Sequence, residues 1–561
     1  MTESYKPQGK GGVERSTPPS GHGVSRGGDT RGRRPQRRPY HAGGGSGLNT
    51  QQKQAPQRGG ERSRRSRPQR QTERKVIWKE TSTQKKEVRL PPVEADAIRI
   101  IPLGGVEEIG RNMTAVEYKD NIIIIDVGFI FANEDTPGID YLLPNINYLK
   151  ERKEKIRAIV ITHGHLDHIG GIPYLIGSLG NPPIYTRKFA SMLIQKRQLE
   201  FPETTPLDLR IVEGDNFARI TDDLRVRFFG VTHAIPDSTG VIIETPLGDI
   251  VNTGDVRVEN ENGVVIQEEF EQYKFFKDRK VILLMMDSTG AERPGWSVSE
   301  PSIRKTIDGI VKNAPGRTII ATFASQVERV IDFIRIAKKY NKKVVIEGRS
   351  MKTNVAIVKE LGLVDTGHII PVEEMQNYPE SKILMIVTGG QGEEYSALQR
   401  ISIDTHKYVK LVKSDTVILS SSIIPGNDFS VTKIKDDLHR HDARIITYLD
   451  TNVHAGGHGK HEDLKWIHQQ IPYRFFMPVH GWHHMIKIHA TMAREELGVP
   501  EERVVTAENG NIVEIRDEGK KIVKLKERVP HQAIMVAGNS IGESQEVVIR
   551  DRKSLAKDGM F

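Results

Sequence analysis

The chain contains no cysteine among its 561 residues. This absence excludes disulfides, thiolate metal ligands and cysteine nucleophiles together. Any metal site must therefore be built from histidine and carboxylate side chains.

Long apolar runs are also missing. The longest stretches, such as residues 121–131 and 280–286, are interrupted by charge or much shorter than the roughly 20 residues that cross a bilayer. No apolar segment of the kind found in secretory signal peptides follows Met1. We therefore expect a soluble, cytoplasmic protein that does not enter a membrane.

Large apolar residues are scarce at the start of the chain, which is rich in Gly, Arg, Gln, Ser and Pro. Such a segment cannot bury enough surface to offset the entropy of ordering, so we predict a disordered tail over residues 1–90. Residues 1–75 hold 18 Lys or Arg and 5 Asp or Glu, a net charge of +13, whereas the whole chain carries +9 and the remainder therefore −4. A basic arm indicates a polyanionic partner, because Lys and Arg displace counterions from phosphate; a merely solubilising tail is the alternative.

The length of the chain predicts at least two folded units, since single cores rarely grow beyond about 300 residues. From residue 97 onward, short apolar runs bounded by Gly and Pro predict closely spaced strands. After about residue 300, strands and helices alternate, which predicts a parallel, doubly wound sheet. The strand-rich pattern returns near residue 446. We therefore expect an α/β protein in which a domain at 301–445 is inserted between the two parts, 91–300 and 446–530, of another.

A dense group of metal-binding residue types, His163-Gly-His165-Leu-Asp167-His168, directly follows a predicted strand at 158–162. Imidazole and carboxylate groups suit zinc, and four of them in one loop can serve two metal ions. Three further candidates each follow another apolar run: His233, Asp255 and His480. Taken singly, these histidines are more often structural, but together with the loop they complete two coordination spheres.

These motifs resemble the metallo-β-lactamase superfamily, and the insert between Asp255 and His480 resembles the β-CASP nucleases. Additional motifs are similar to those of the bacterial ribonuclease J family: residues 161–171, Thr322-Phe-Ala-Ser325, Glu347-Gly-Arg-Ser-Met351, Thr388-Gly-Gly-Gln-Gly-Glu393 and Pro425-Gly-Asn427. The resemblance runs from about residue 97 to the end of the chain. It implies a metallo-β-lactamase αββα sandwich with an inserted β-CASP domain.

The resemblance also implies two zinc ions per subunit, with manganese as an alternative. One ion takes His163, His165 and His233, the other takes Asp167, His168 and His480, and Asp255 bridges the two. Asp126 is expected to orient a ligand histidine.

The implied activity is a zinc-dependent ribonuclease with 5′-to-3′ exonuclease and endonuclease modes, active in mRNA turnover and rRNA maturation. In this scheme a hydroxide held by two metals attacks the phosphodiester and leaves 5′-phosphate products. Asp167 accepts the proton of the attacking water, and His458 stabilises the transition state or protonates the leaving oxygen. Spacing alone supports only phosphodiester hydrolysis.

Glycine and small polar residues allow a phosphate to approach the backbone closely. On that ground the candidates for holding RNA are Ser420, Ser421, His454, Gly456, Gly457 and His458. The ribonuclease J family usually has serine where this chain has Gly456. The expected substrate is single-stranded RNA, with a preference for 5′-monophosphate ends.

The resemblance further implies a homodimer or homotetramer and contacts with an RNA helicase or the ribosome. Because the family normally continues into another C-terminal domain, residues 531–561 are expected to be a linker and the start of a truncated domain.

Two other classes of function compete with this interpretation. Some members of the superfamily hydrolyse thioesters, lactones or β-lactams with a similar loop, but an insert of about 200 residues is large enough to be a domain with its own core and suits a long polymer better. A DNA-directed β-CASP nuclease stays open. A metal-poor RNA-binding scaffold of a processing complex also stays open as an alternative. The presence of every expected metal ligand in the sequence makes this scaffold the weaker alternative.

Deleting residues 1–75 is expected to weaken RNA binding and to flatten the dependence of affinity on salt, because fewer counterions are then released. Binding titrations at several salt concentrations measure both effects. A variant with the same length but with Gln at every Lys and Arg of this segment is the matched control and is expected to behave like the deletion. An unchanged salt slope in both would contradict an electrostatic role.

Overall fold

The computed structural model describes residues 77–78 and 90–542, apart from residues 95, 133–135, 215, 425 and 539. The predicted basic tail lies almost entirely outside the described residues. So does the end of the chain after residue 542.

Two mixed sheets form the middle of the first domain. The larger sheet contains, in spatial order, the strands Lys521–Arg528, Asn511–Arg516, Ile98–Gly104, Met113–Tyr118, Asn121–Ile125, Ile156–Val160, Ile184–Thr186 and Leu209–Ile211. The second sheet contains Phe217–Arg219, Arg225–Gly230, Thr239–Thr245, Gly248–Asn252, Val281–Asp287 and Tyr473–Val479. The predicted strand at 158–162 is present as Ile156–Val160, and strands occupy the region from residue 97 onward where short apolar runs predicted them.

One apolar layer fills the space between the two sheets. Because side chains alternate between the faces of a strand, every second residue contributes to this layer. It joins Ile98, Ile100, Ile123 and Val160 of the larger sheet to Val241, Ile243, Leu283, Met285 and Met477 of the second sheet.

Helices cover the two outer faces. Asn147–Lys150, Ile172–Leu175 and Lys188–Gln198 cover the larger sheet, and Gln267–Tyr273, His461–Gln470 and His483–Glu495 cover the second. A helix at Leu166–Ile169 lies in the loop that begins at His163, and short 3₁₀ turns occur at Lys153–Lys155, Ile176–Leu179, Lys274–Asp278, Val372–Asn377, Glu380–Lys382 and Glu501–Arg503. The layers are αββα, as predicted. Within the described residues, no helix combines the length and apolar character needed to span a membrane.

The inserted domain is a five-stranded parallel sheet with helices on both faces. Its strands are, in spatial order, Lys343–Glu347, Ile383–Val387, Thr318–Thr322, Thr416–Ser420 and Arg444–Thr447. Glu300–Asn313, Val327–Lys339 and Arg349–Glu360 pack on one face, and Ala397–Ser402 and Asp428–His439 on the other. The doubly wound prediction is confirmed. Its last strand runs past the expected boundary at residue 445, since it pairs with Thr416–Ser420.

Part of the segment expected to be a linker packs on the first domain instead. A small sheet contains Ile77–Trp78, Ser540–Gly542, Ile534–Ala537, Tyr141–Leu143 and Ile130–Phe131. Ile534 and Val536 are buried in the same core as Leu143, and this burial explains why the segment is ordered here. A separate hairpin pairs Asn260–Glu261 with Val264–Val265.

An apolar cluster joins the two domains. It contains Phe189, Met192 and Ile235 of the first domain and Val327, Ile331, Ile357 and Val358 of the insert. Because these side chains are buried against one another, the insert is held in a defined position on the first domain.

A buried ion pair joins the start of one central strand of the insert to its neighbour. Arg317 Nη2 donates to Asp415 Oδ2 over 2.6 Å, and both side chains are almost fully buried. Asp415→Ala is expected to destabilise the protein by about 3–5 kcal/mol, because it leaves a buried guanidinium without its countercharge. Thermal unfolding measures the loss. The control Asp223→Ala removes an ion pair between Lys119 and Asp223 that is partly open to solvent, and its unfolding midpoint should stay near that of the wild type.

Candidate metal centre

The seven predicted ligands lie where strands of the first domain end. Four strands of the second sheet point the same way, so their carboxyl ends share one edge. His233, Asp255 and His480 follow three of these strands, and the loop beginning at His163 follows Ile156–Val160 in the facing sheet. The ligands are therefore brought together by the sandwich itself.

The first half-site consists of His163, His165, His233 and Asp255, whose ligand atoms all lie within 4.8 Å of one another. His165 Nδ1 lies 3.1 Å from both His163 Nε2 and His233 Nε2. Asp255 Oδ2 lies 3.6 Å from His163 Nε2 and 3.8 Å from His233 Nε2.

The second half-site consists of Asp167, His168, His480 and Asp255, again within 4.8 Å. Asp167 Oδ2 lies 3.4 Å from His168 Nε2 and 3.5 Å from His480 Nε2. Asp255 Oδ2 lies 3.3 Å from His168 Nε2. Asp255 thus belongs to both half-sites.

This donor set fits divalent metal ions. Ligands held at about 2.0–2.2 Å from a tetrahedral ion are separated by about 3.3–3.6 Å, close to the distances between these donors. Two buried atoms of the cluster, Asp255 Oδ1 and His480 Nε2, make no hydrogen bond to any described residue. Buried polar atoms are rarely left without a partner, so a cation is the natural partner for both.

Each of the five histidines is oriented so that one nitrogen faces the cluster. The other nitrogen donates a hydrogen bond: His163 to Thr162 Oγ1 at 3.0 Å, His165 to Ser325 O at 3.2 Å, His168 to Asp126 Oδ2 at 2.8 Å, His233 to Gly457 O at 2.6 Å and His480 to Thr289 Oγ1 at 2.8 Å. Because the ring hydrogen of each neutral imidazole lies on the outward nitrogen, the inward nitrogen has a lone pair that can bind a metal ion. Asp126, which was expected to orient a ligand histidine, is the hydrogen-bond partner of His168.

Three imidazoles of the first half-site are held neutral. Burial lowers the pKa of His163 well below its usual value and also lowers the pKa of His165. Burial, followed by the charge of His165, lowers the pKa of His233 to about 3. A neutral imidazole is the form that binds a metal ion.

The second half-site is more strongly charged. Burial by itself raises the pKa of Asp255, but His480 and His168 outweigh it and hold that pKa well below the usual range. For His480, burial opposes the charged form, and Asp255 with Asp167 reverses this and raises the pKa to about 10. The carboxylates around His480 thus favour positive charge at its inward nitrogen, which is the charge that a bound metal ion supplies.

His458 and Asp287 form a pair beside the cluster. His458 Nδ1 donates to Asp287 Oδ2 over 2.7 Å, and Asp287 Oδ1 lies 3.4 Å from His480 Nδ1. Asp287 was not predicted from the sequence, although it ends the strand Val281–Asp287 and Asp255 follows another strand of the same sheet. That shared position at a strand end is the signal that could have identified it.

The predicted RNA-binding residues differ in accessibility. Gly456 is exposed, and His458 is partly exposed. Ser420 is fully buried, and its hydroxyl donates to Val453 O over 2.6 Å; the Ser421 hydroxyl donates to Gly390 O. In this conformation neither hydroxyl is free to donate to a substrate. His454 is largely buried and lies against Arg329, 2.8 Å from Nη1.

Comparison with known proteins now identifies the family. Residues 315–438 match the family model "Ribonuclease J, beta-CASP domain", and residues 107–306 match "Metallo-beta-lactamase superfamily". Ribonuclease J of Thermus thermophilus is 36% identical over 475 residues, which cover 83% of this chain and 82% of that protein. The chain belongs to the ribonuclease J family. This membership confirms the predicted enzyme class, a metal-dependent ribonuclease.

Other members of the ribonuclease J family give the same result. Ribonuclease J 1 of Streptococcus pyogenes is 36% identical over 473 residues, 83% of each chain. Ribonuclease J2 of Bacillus subtilis is 33% identical over 466 residues, also 83% of each chain. The crystal structure of a protein of unknown function from Enterococcus faecalis V583 superposes with a TM-score of 0.52 at 19% identity, covering 74% of this chain and 99% of that one, and this likeness shows the fold alone.

Two adjacent glycines allow a matched test of the metal centre. A Cβ atom at Gly457 would lie 2.5 Å from His233 Cε1, whereas at Gly456 it meets only His458 N at 4.0 Å. Gly457→Ala is expected to weaken metal binding by at least about 10-fold, because it displaces a ligand and its outward partner. Gly456→Ala should leave it unchanged. Metal content after dialysis measures both, and equal retention by the two variants would contradict the proposed ligand role of His233.

Proposed function

We propose that this chain is a zinc-dependent ribonuclease that cuts RNA in 5′-to-3′ exonucleolytic and endonucleolytic modes, in mRNA turnover and rRNA maturation. The observation that carries the proposal is the convergence of seven histidine and aspartate donors on two half-sites that share Asp255. The position of this cluster beside an inserted domain supports a polymeric substrate. Membership of the ribonuclease J family supports RNA as that polymer.

Each half-site is proposed to hold one zinc ion, with manganese as the alternative. When bound, such ions supply the Lewis acidity that polarises water and a phosphodiester and offsets negative charge. The cluster is lined by imidazole and carboxylate groups, with no thiol in the chain to favour softer ions.

The chain's own groups supply the proton transfers. Asp167 has one oxygen, Oδ2, within reach of His168 and His480, and its carboxylate accepts the proton of the attacking water. His458 donates its Nδ1 hydrogen to Asp287, so Nε2, which lies 4.0 Å from Asp255 Oδ2, is the atom left to act on a substrate bound at the cluster. Burial opposes protonation of His458, but the Asp287 carboxylate outweighs burial and raises its pKa, which suits a donor to the phosphate or to the leaving 3′ oxygen. The products then carry 5′-phosphates.

The loop at 454–458, in which Gly456 is exposed and His458 partly exposed, is proposed to contact the RNA end. The backbone of Gly456 is accessible because this residue is exposed and has no side chain, and His454 precedes it by two positions in the chain. Single-stranded RNA with a 5′-monophosphate is the proposed preferred substrate, with homodimers or homotetramers and an RNA helicase or the ribosome as proposed partners.

Asp167→Ala is expected to reduce RNA hydrolysis by more than about 100-fold, because removing a ligand costs more than removing one of its outer partners. The fold should be retained, since Asp167 lies at a partly exposed rim. Asp120→Ala, at an exposed turn of the same domain, is the control and should cut RNA at the wild-type rate.

The substrate is tested with matched RNA and DNA oligonucleotides bearing 5′-monophosphate, 5′-triphosphate or 5′-hydroxyl ends. Release of mononucleotides only from the RNA with a 5′-monophosphate would support the exonuclease activity. Fixed internal fragments from the RNAs with all three kinds of 5′ end would support the endonuclease activity. Faster cleavage of DNA than of RNA would overturn the proposed substrate.

A further inference from the structure

Two ligands of the first half-site are oriented by groups that do not belong to the metal-binding loops. His165 donates from Nε2 to Ser325 O over 3.2 Å, and Ser325 follows the central strand of the inserted domain. His233 donates from Nδ1 to Gly457 O over 2.6 Å, and Gly457 lies in the segment by which the chain leaves the insert. The first half-site therefore depends on the position of the insert at two points.

A buried side chain of the insert, Arg329, makes hydrogen bonds to the segment that carries Gly457. This residue lies on the helix Val327–Lys339 of the insert and is 2% exposed. Its Nη1 donates to His454 Nδ1 over 2.8 Å, and its Nη2 donates to Ala455 O over 3.0 Å. One guanidinium group thus donates hydrogen bonds to two consecutive residues, His454 and Ala455, just before Gly457.

The same guanidinium is anchored on its other edge. Nε donates to Glu300 Oε2 over 3.1 Å, and Nη2 also contacts Glu300 Oε1. Glu300 begins the first helix of the insert, where the chain enters that domain. Arg329 therefore links the segment by which the chain enters the insert, at Glu300, to the segment by which it leaves, at His454 and Ala455.

These contacts also determine the tautomer of His454. Its Nδ1 is close to both Arg329 Nη1 and, at 3.1 Å, Ser420 O. A guanidinium can only donate, so the shorter of the two contacts makes Nδ1 an acceptor in the neutral ring, with the ring hydrogen on Nε2; Ser420 O, which can only accept, is then not a hydrogen-bond partner of Nδ1. Burial, followed by the charge of Arg329, lowers the pKa of His454 to about 3, in agreement with a neutral ring.

We infer that Arg329 is a positioning residue of the metal centre: by holding His454 and Ala455 it places the Gly457 carbonyl that orients His233, and so it couples docking of the inserted domain to the first half-site. The planar, five-donor guanidinium is needed for this role, because a lysine ammonium cannot reach Glu300, His454 and Ala455 together. The inference rests on the proposed metal-binding function.

The test is a calorimetric zinc titration of the metal-stripped full-length protein. Wild type is expected to bind two equivalents, and Arg329→Lys to bind one of them at least about 10-fold more weakly, the usual effect of losing an outer partner of a ligand. Arg304→Lys is the matched control, because Arg304 pairs with Asp332 on the same domain but is half exposed and touches no part of the exit segment. It should bind both equivalents normally.

A second pair of variants separates positioning from stability. Glu300→Gln weakens the anchor of Arg329 but leaves the donors to His454 and Ala455, so it should lower the unfolding midpoint without weakening zinc binding. If Arg329→Lys does not fold, the double variant Arg329→Gln with Glu300→Gln removes both charges together and carries the same zinc expectation.

A thermodynamic cycle locates the effect. Arg329→Lys should cause no additional loss in a His233→Ala background and the full loss in a His480→Ala background, since only His233 is coupled to it. Wild-type zinc affinity in Arg329→Lys, or an equal loss in Glu300→Gln, would overturn this inference alone. Failure of the wild type to bind zinc would overturn the proposed function, and the inference with it.

Discussion

A carboxylate buried between two groups of imidazoles is the constraint on which the rest of this structure depends. Asp255 is 2% exposed and lies within 4.0 Å of a nitrogen of His163, His168, His233, His480 and His458. An ion of this kind costs several kcal/mol to bury without countercharges. The two sheets must therefore align their strand ends closely enough to bring every partner to this one group.

The sandwich meets this requirement through strand direction. Parallel strands end at the same edge, so Asp255 and His480 come together although 225 positions separate them. The outward hydrogen bonds then decide which nitrogen each imidazole presents. Asp126 and Thr289 do this from within the first domain, whereas Ser325 does it from the insert. The candidate ligands consequently all belong to the first domain, and one of them, His165, is oriented by the insert.

Much of the fold could be predicted from local pattern. The helix Val327–Lys339 and the strands Lys343–Glu347 and Thr416–Ser420 lie where alternating helices and strands were predicted, because each buries apolar side chains. The prediction was less accurate where burial depends on distant partners. Arg444–Thr447 joins the insert by pairing with a neighbouring strand, and Ile534–Ala537 is ordered by Tyr141–Leu143, nearly 400 positions earlier.

The candidate metal centre was likewise predictable from the sequence only in part. Sequence alone determined the chemistry of the donors, since a chain without cysteine that places four histidine and aspartate groups in one loop can build only an imidazole and carboxylate centre. It did not reveal Asp287, Ser325 or Arg329, whose partners lie 171, 160 and 125 positions away. Tertiary structure decided which nitrogens face inward and how the insert supports them. The physical reason is that hydrogen bonds depend on distance and direction in space, and residues so far apart in the chain acquire both only when the two domains pack.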